Sequence, residues 1–359
     1  MAPFPDPSDE TAEPRADLQV RRRTPAWRAW PVWGVKAAVA AGLLTWLVLS
    51  DRLDLGRLIR VGPSWSLAAV VGLALASMVV PAWRWQLLLK AQGLNEPFGR
   101  ILRLTWVGYF ALLVLPGGAG GDVAKGYLLL RLQPEARVRA LSTVLADRAV
   151  GVYALLVLGG LSVGWLAWQG AMPAAVGAMA GVMLALLLGA TLGAAVLWIR
   201  PCRQLLFAVL PHSWAQAWAQ SADLYQARFA WLLAGLAISL FSSTLFVLSL
   251  GSAAGCIGTD VPASALFLAG PLVVLANCLP ISPGGIGVGE AASEALFGAF
   301  GISGGAEMMM LVRIVIALLS LPGCFGISAQ RREKELVVQQ RTLEEPRKIK
   351  NAAALSEEA

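Results

Sequence analysis

Charge is scarce in this chain of 359 residues: only 14% are Asp, Glu, Lys or Arg, against about a quarter in a soluble domain. Histidine occurs once, at His212, and the four cysteines (Cys202, Cys256, Cys278, Cys324) show no CxxC spacing. That poverty excludes a zinc or haem centre of the usual ligand sets, and no cofactor is expected. Three of the cysteines fall in or beside apolar segments and read as small core residues. No G-x-x-x-x-G-K-[ST] motif is present, so nothing predicts an ATP-driven machine. The net charge of +7 comes from basic residues that flank apolar runs and form no separate basic domain, which argues against nucleic acid as a partner.

What the chain has is apolar length. Hydrophobic residues make up 57% of it, and several runs approach the ~20 residues that a helix needs to cross a bilayer. Six read as full spans: Trp33–Ser50, Trp65–Trp83, Ala140–Trp168, Pro173–Ile199, Phe229–Gly251 and Gly305–Ser328. The first is followed directly by Asp51-Arg52 and by no small-residue cleavage pattern, so it is expected to stay as an anchor. Tryptophans at 65, 83, 85, 165, 168, 198 and 231 mark the interfaces.

Two further apolar segments are broken in the same way. One runs Leu115-Pro-Gly-Gly-Ala-Gly-Gly-Asp122, the other Leu279-Pro-Ile-Ser-Pro-Gly-Gly-Ile-Gly-Val-Gly-Glu290. Each passes from Leu-Pro through a glycine cluster to a carboxylate. An arginine inside an apolar segment follows 33 residues after Leu115, at Arg148, and 34 after Leu279, at Arg313. Broken helices at corresponding places in two halves point to a transport site.

The Lys/Arg bias favours hairpins that enter and leave the membrane on one side. Then Arg21, Arg22, Arg23, Arg84, Lys90, Arg100, Arg103, Lys125, Arg131, Arg137, Arg139, Arg200, Arg203 and Arg228 are cytoplasmic, and only Arg52, Arg57 and Arg60 lie outside. The expected fold is an all-α polytopic membrane protein of six spanning helices plus two re-entrant hairpins. Its repeats, residues 33–168 and 173–328, have inverted topology, and both termini are cytoplasmic. Residues 1–32 form a cytoplasmic N-terminal segment whose first twenty are disordered, and 329–359 form a polar cytoplasmic tail. His212, in a polar loop, opens a stretch to Trp231 that reads as an amphipathic interfacial helix.

Two readings of the glycines stay open. Gly117, Gly118, Gly120, Gly121, Gly284 and Gly285 can leave backbone N–H groups free to bind an anion at a helix start, or can serve close helix packing. The arginines also carry two. An intramembrane arginine costs at least ~2.5 kcal/mol, so a partner is expected: Asp122 for Arg148 and Glu290 for Arg313 as structural pairs, or a lipid phosphate gripped by the guanidinium fork. Asp147 points about 100° away from Arg148 around the helix and suits a bond to the hairpin backbone or a proton. Glu294, one turn past Glu290, extends that site. Lys125 is a further candidate for the headgroup phosphate or, following Asp122 at i+3, a local surface pair, and Arg84 snorkels to headgroups at a helix end.

At these motifs the chain resembles the membrane region of lysylphosphatidylglycerol synthases and the stand-alone flippase-like proteins that share it. The matching elements are Trp83-Arg84-Trp85, Leu115–Asp122, Asp147-Arg148-Ala-Val-Gly151, Ile281–Glu290 and Arg313, and the resemblance covers residues 33–330. It implies a bacterial cytoplasmic-membrane protein that moves a lipid with an anionic or modified headgroup between leaflets. Relatives are tied to aminoacylated phosphatidylglycerol, polyprenyl-linked sugars and hopanoids. The aminoacyl-transferase domain of the synthases has no counterpart in the polar tail, so no enzymatic activity is expected. Lys125 stands where relatives commonly carry arginine. Candidate partners are the lipid itself, a second copy and a lipid-modifying enzyme. The alternative class is a scaffold or regulator of such an enzyme. A membrane-embedded transferase, with Asp122, Asp147 or Glu290 as base, lacks a donor-binding motif.

Overall fold

The computed structural model describes residues 30–50, 52–115, 120–170, 174–208, 211–279 and 281–326. Gly117, Gly118 and the terminal segments 1–29 and 327–359 therefore lie outside the described residues.

Among the described residues the chain is helical throughout, with no strand. Thirteen helices follow in order: α1 (Trp30–Leu49), α2 (Leu55–Ile59), α3 (Trp65–Ala91), α4 (Phe98–Val114), α5 (Gly120–Leu132), α6 (Arg137–Trp168), α7 (Ala174–Trp198), α8 (Arg200–Phe207), α9 (His212–Ala227), α10 (Phe229–Cys256), α11 (Ala263–Asn277), α12 (Val288–Gly298) and α13 (Gly305–Ser320). Five stretches are long and apolar enough to span a membrane: Trp65–Ala91, Pro134–Trp168, Val176–Trp198, Phe229–Cys256 and Gly305–Gly326. The chain is a multi-pass membrane protein. The expected first span falls in α1, whose described apolar stretch, Ala38–Leu49, is shorter.

The long helices α3, α10, α6 and α13 form the centre. One apolar core joins Val70 and Ala74 of α3 to Val247 and Leu250 of α10, Ala269 and Val273 of α11, and Met308 and Val312 of α13. Pro81 interrupts α3. A proline removes the N–H that would bond the carbonyl four residues earlier, here Ser77. The Ser242 hydroxyl of α10 donates to that Ser77 carbonyl at 3.2 Å, which satisfies it from a neighbouring helix as a membrane interior requires.

Each glycine hairpin is two helices packed on each other, α4 on α5 and α11 on α12. The breaks follow from proline. The residue before a proline is pushed out of the helical region, and Leu115 before Pro116 and Ser282 before Pro283 are both extended. In the first hairpin the glycines let the helices approach: a Cβ on Gly121 would stand 2.5 Å from the Gly108 carbonyl oxygen.

The remaining helices correct two expectations. His212 is the first residue of α9 and not part of a loop. α9 ends at Ala227, short of Trp231, and is pinned by polar contacts at buried Ser221. That hydroxyl lies 2.6 Å from Ser142 Oγ and 2.8 Å from Gln92 Oε1, and Gln92 Nε2 donates to the Ser221 carbonyl at 2.9 Å.

Gly121→Ala is expected to push α5 from α4 at a cost of about 1–3 kcal/mol, the usual range for overpacking. A lowered thermal midpoint in detergent, followed by circular dichroism, is the predicted result; an unchanged midpoint contradicts the close packing.

Candidate functional site

The length of α3 decides the first half of the site. The helix does not end at the tryptophans but runs on to Ala91. Trp83-Arg84-Trp85 therefore lies within it, and Arg84 is buried inside the protein instead of reaching for headgroups. Its Nε donates to Asp147 Oδ1 at 2.7 Å, and Nη1 donates to the Ser239 hydroxyl of α10 at 2.8 Å. Asp147 thus bonds neither Arg148 nor the hairpin backbone. Its other oxygen accepts from Lys125 Nζ at 2.8 Å.

Lys125 is likewise no surface residue. It is buried, pairs with Asp122 Oδ1 at 3.0 Å as well as with Asp147, and its ammonium stands 5.0 Å from the Trp85 ring centre. Asp122 Oδ2 in turn meets Arg148 Nη1 at 3.3 Å. The result is a ladder of alternating sign: Arg84, Asp147, Lys125, Asp122, Arg148. Three cations face two carboxylates. Side-chain exposure rises from 5% at Asp147 to 22% at Asp122 and 41% at Arg148. The ladder is sealed at one end and open at the other, and the open end is an arginine.

The second hairpin builds a different arrangement from the same parts. Arg313 Nε pairs with Glu290 Oε1. Its Nη1 donates to the Gly284 carbonyl at 2.7 Å, and its Nη2 to Asn277 Oδ1 at 2.9 Å, the Gly285 carbonyl at 3.1 Å and Glu290 Oε2 at 3.2 Å. Gly284 and Gly285 turn their carbonyls toward Arg313 with φ of +58° and +72°, a region that L side chains avoid. A Cβ on Gly285 would also collide with Asn277. Three N–H groups of this turn are engaged: Gly285 N–H on the Ser282 carbonyl, Ile286 N–H on that of Pro283, and Gly287 N–H on Glu290 Oε2 at 2.7 Å. Glu290 is fully buried and the Arg313 side chain is 15% exposed.

Glu294 does not extend this site. Its Oε2 accepts the Ala306 N–H at the start of α13, at 3.1 Å. Of the first hairpin's glycines, Gly120 and Gly121 open α5, with Gly121 against Gly108.

The two hairpins meet at their breaks. A Cβ on Gly284 would stand 3.4 Å from the Leu112 carbonyl in the last turn of α4. Cys278, just after α11, lies within electrostatic reach of both Arg148 and Asp122. These paired half-helices and two arginine–carboxylate pairs lie inside the stretch that a family model matches. The description Lysylphosphatidylglycerol synthase TM region fits residues 33–326.

The chain belongs to that family.

The match covers both hairpins, both arginine pairs and every described helix except the start of α1. No curated protein matches this family member. Sequence reasoning missed three of its site residues. Arg84 was placed at a helix end, while Ser239 and Asn277 were not singled out. Asn277 had a usable signal: a polar amide two residues before Leu279-Pro280 in an apolar helix.

Asp147→Asn is predicted to leave Arg84 and Lys125 as buried cations around an uncharged amide. Breaking a buried ion pair from one side costs about 3–5 kcal/mol. A steep fall in thermal midpoint is expected, with partial recovery when Lys125→Met is added. Equal midpoints for wild type and Asp147→Asn contradict the ladder.

Proposed function

We propose that this chain moves a lipid with an anionic or modified headgroup between the two leaflets, and that it does so as a carrier and not as an enzyme. The supporting observation is the unequal state of the two matched arginines. Arg313, from α13, has all three nitrogens engaged by the second hairpin. Arg148, paired with Asp122, is the more exposed of the two, 41% against 15%.

The chemistry follows from that inequality. A headgroup phosphate competes with Asp122 for Arg148 and gains the bidentate bonds that a guanidinium offers. Asp122, once displaced, is still neutralised by Lys125, so the exchange strands no charge. Helix lengths support re-entry of the hairpins: α5 has 13 residues and α12 has 11, about 20 and 16 Å at 1.5 Å per residue, short of a ~30 Å hydrocarbon core. With the repeats inverted, the two breaks open to opposite faces, and the more and less exposed arginines exchange roles as the headgroup crosses. The acyl tails stay in lipid. Energy comes from an ion gradient, a partner, or consumption of the lipid on the far side.

The test pairs native mass spectrometry of lipids retained on the purified protein with transbilayer movement of the retained class in vesicles. Arg148→Ala, if folded, is expected to lose the retained class and at least tenfold of the rate, with Arg148→Lys intermediate because an ammonium binds phosphate only as a point charge. Retention and rate that match wild type in folded Arg148→Ala overturn the proposal.

A further inference from the structure

Away from the hairpin breaks, a cleft of about 500 Å³ lies where the α1–α2 connection meets the start of α13. Its charged lining comprises Arg52, Asp54, Arg57, Glu294 and Glu307, with Ser303 between them. None of these residues touches the ladder or the Arg313 cluster. Most of their polar atoms are accounted for. Asp54 Oδ1 caps α2 by accepting from Gly56 and Arg57 N–H at 2.7 and 3.3 Å. Glu294 holds Ala306 N–H. Glu307 Oε1 accepts the Asp54 N–H at 3.0 Å.

One atom is not. Glu307 is 3% exposed, and its Oε2 is buried without a hydrogen-bond partner. A buried carboxylate oxygen left without a donor is costly, so it calls for one. Among the described residues no three His, Cys, Asp or Glu side chains are grouped to hold a metal ion, which favours a hydrogen-bond donor as the partner. The cleft is also much larger than a bare ion needs. Its rim carries the opposite charge. Arg57 is exposed, and among the described residues no carboxylate forms an ion pair with it. Arg52 is oriented by the Trp46 ring, 5.5 Å from its guanidinium. Depth therefore favours a cation that can donate hydrogen bonds, and the rim favours an anion.

We propose that this cleft binds a zwitterionic group, a primary ammonium that donates to Glu307 Oε2 and an adjoining phosphate or carboxylate that meets Arg57 and Arg52. The same chemistry occurs on a lipid headgroup and on a free small molecule. The site stands apart from transport at the hairpins and does not depend on it.

The experiment uses the full chain in detergent and titrates phosphoethanolamine calorimetrically, beside glycerol phosphate, which lacks the ammonium, and phosphocholine, whose ammonium has no N–H. Phosphoethanolamine is expected to bind at least tenfold more tightly than either. Glu307→Gln keeps an oxygen for the Asp54 N–H and removes the charge; it is expected to abolish that preference. Arg57→Ala, at an exposed position that leaves the fold intact, is expected to weaken phosphoethanolamine and glycerol phosphate alike. In parallel, the chain is reconstituted with equal phosphatidylethanolamine and phosphatidylglycerol, and retained lipid is read by native mass spectrometry. Enrichment of phosphatidylethanolamine that Glu307→Gln loses assigns the cleft to a lipid headgroup. A calorimetric preference without enrichment assigns it to a free zwitterion. No preference in either measurement, or a preference that Arg57→Ala and Glu307→Gln both leave intact, overturns the proposal.

Discussion

Everything at the centre of this protein rests on Asp147. It is a carboxylate buried inside an apolar helix bundle, and it is tolerable there only because Arg84 and Lys125 bond its two oxygens from opposite sides. Those contacts tie α3, α5 and α6 together, and Ser239 brings in α10. Lys125 passes the neutralisation on to Asp122, which meets Arg148. A charge that costs several kcal/mol to bury alone becomes one rung of a series whose last member reaches toward solvent. This series docks the first hairpin on α3 and α6, and the contact between Gly108 and Gly121 closes the hairpin on itself.

The second hairpin solves the same problem locally. Arg313 folds the turn around itself, with Glu290, Asn277 and two glycine carbonyls as acceptors. These bonds tie α13 to α11 and α12 through one side chain. The two halves thus share a pattern of proline, glycines, carboxylate and arginine, yet differ in where their charge is compensated. That difference leaves the Arg148 side chain 41% exposed and the Arg313 side chain 15% exposed.

Much of this was legible before the fold was known. The two breaks, the pairing of Arg148 with Asp122 and of Arg313 with Glu290, and the helical membrane class follow from proline chemistry, apolar length and the cost of an unpaired arginine. Arg84, Lys125 and Glu294 were placed wrongly for physical reasons. Flanking tryptophans resemble an interface belt, but α3 continues for six residues past Trp85, and its length puts Arg84 inside. Lys125 has an i−3 partner that explains it locally, and periodicity gives no sign that Asp147 approaches from another helix. Glu294 follows Glu290 on the same helix, but a turn later it faces the start of α13. Long-range side-chain contacts of this kind leave no trace in the spacing of one sequence.

The central claim is that the two hairpins are inverted copies whose breaks face opposite sides of the membrane. Single cysteines at Leu115 and at Ile281, both accessible beside their breaks, test it directly in a chain freed of its four native cysteines. A membrane-impermeant maleimide added to one side of oriented vesicles should label Leu115→Cys, and added to the other side should label Ile281→Cys. Labelling of both positions from the same side contradicts the inverted repeat and, with it, the exchange of roles between Arg148 and Arg313.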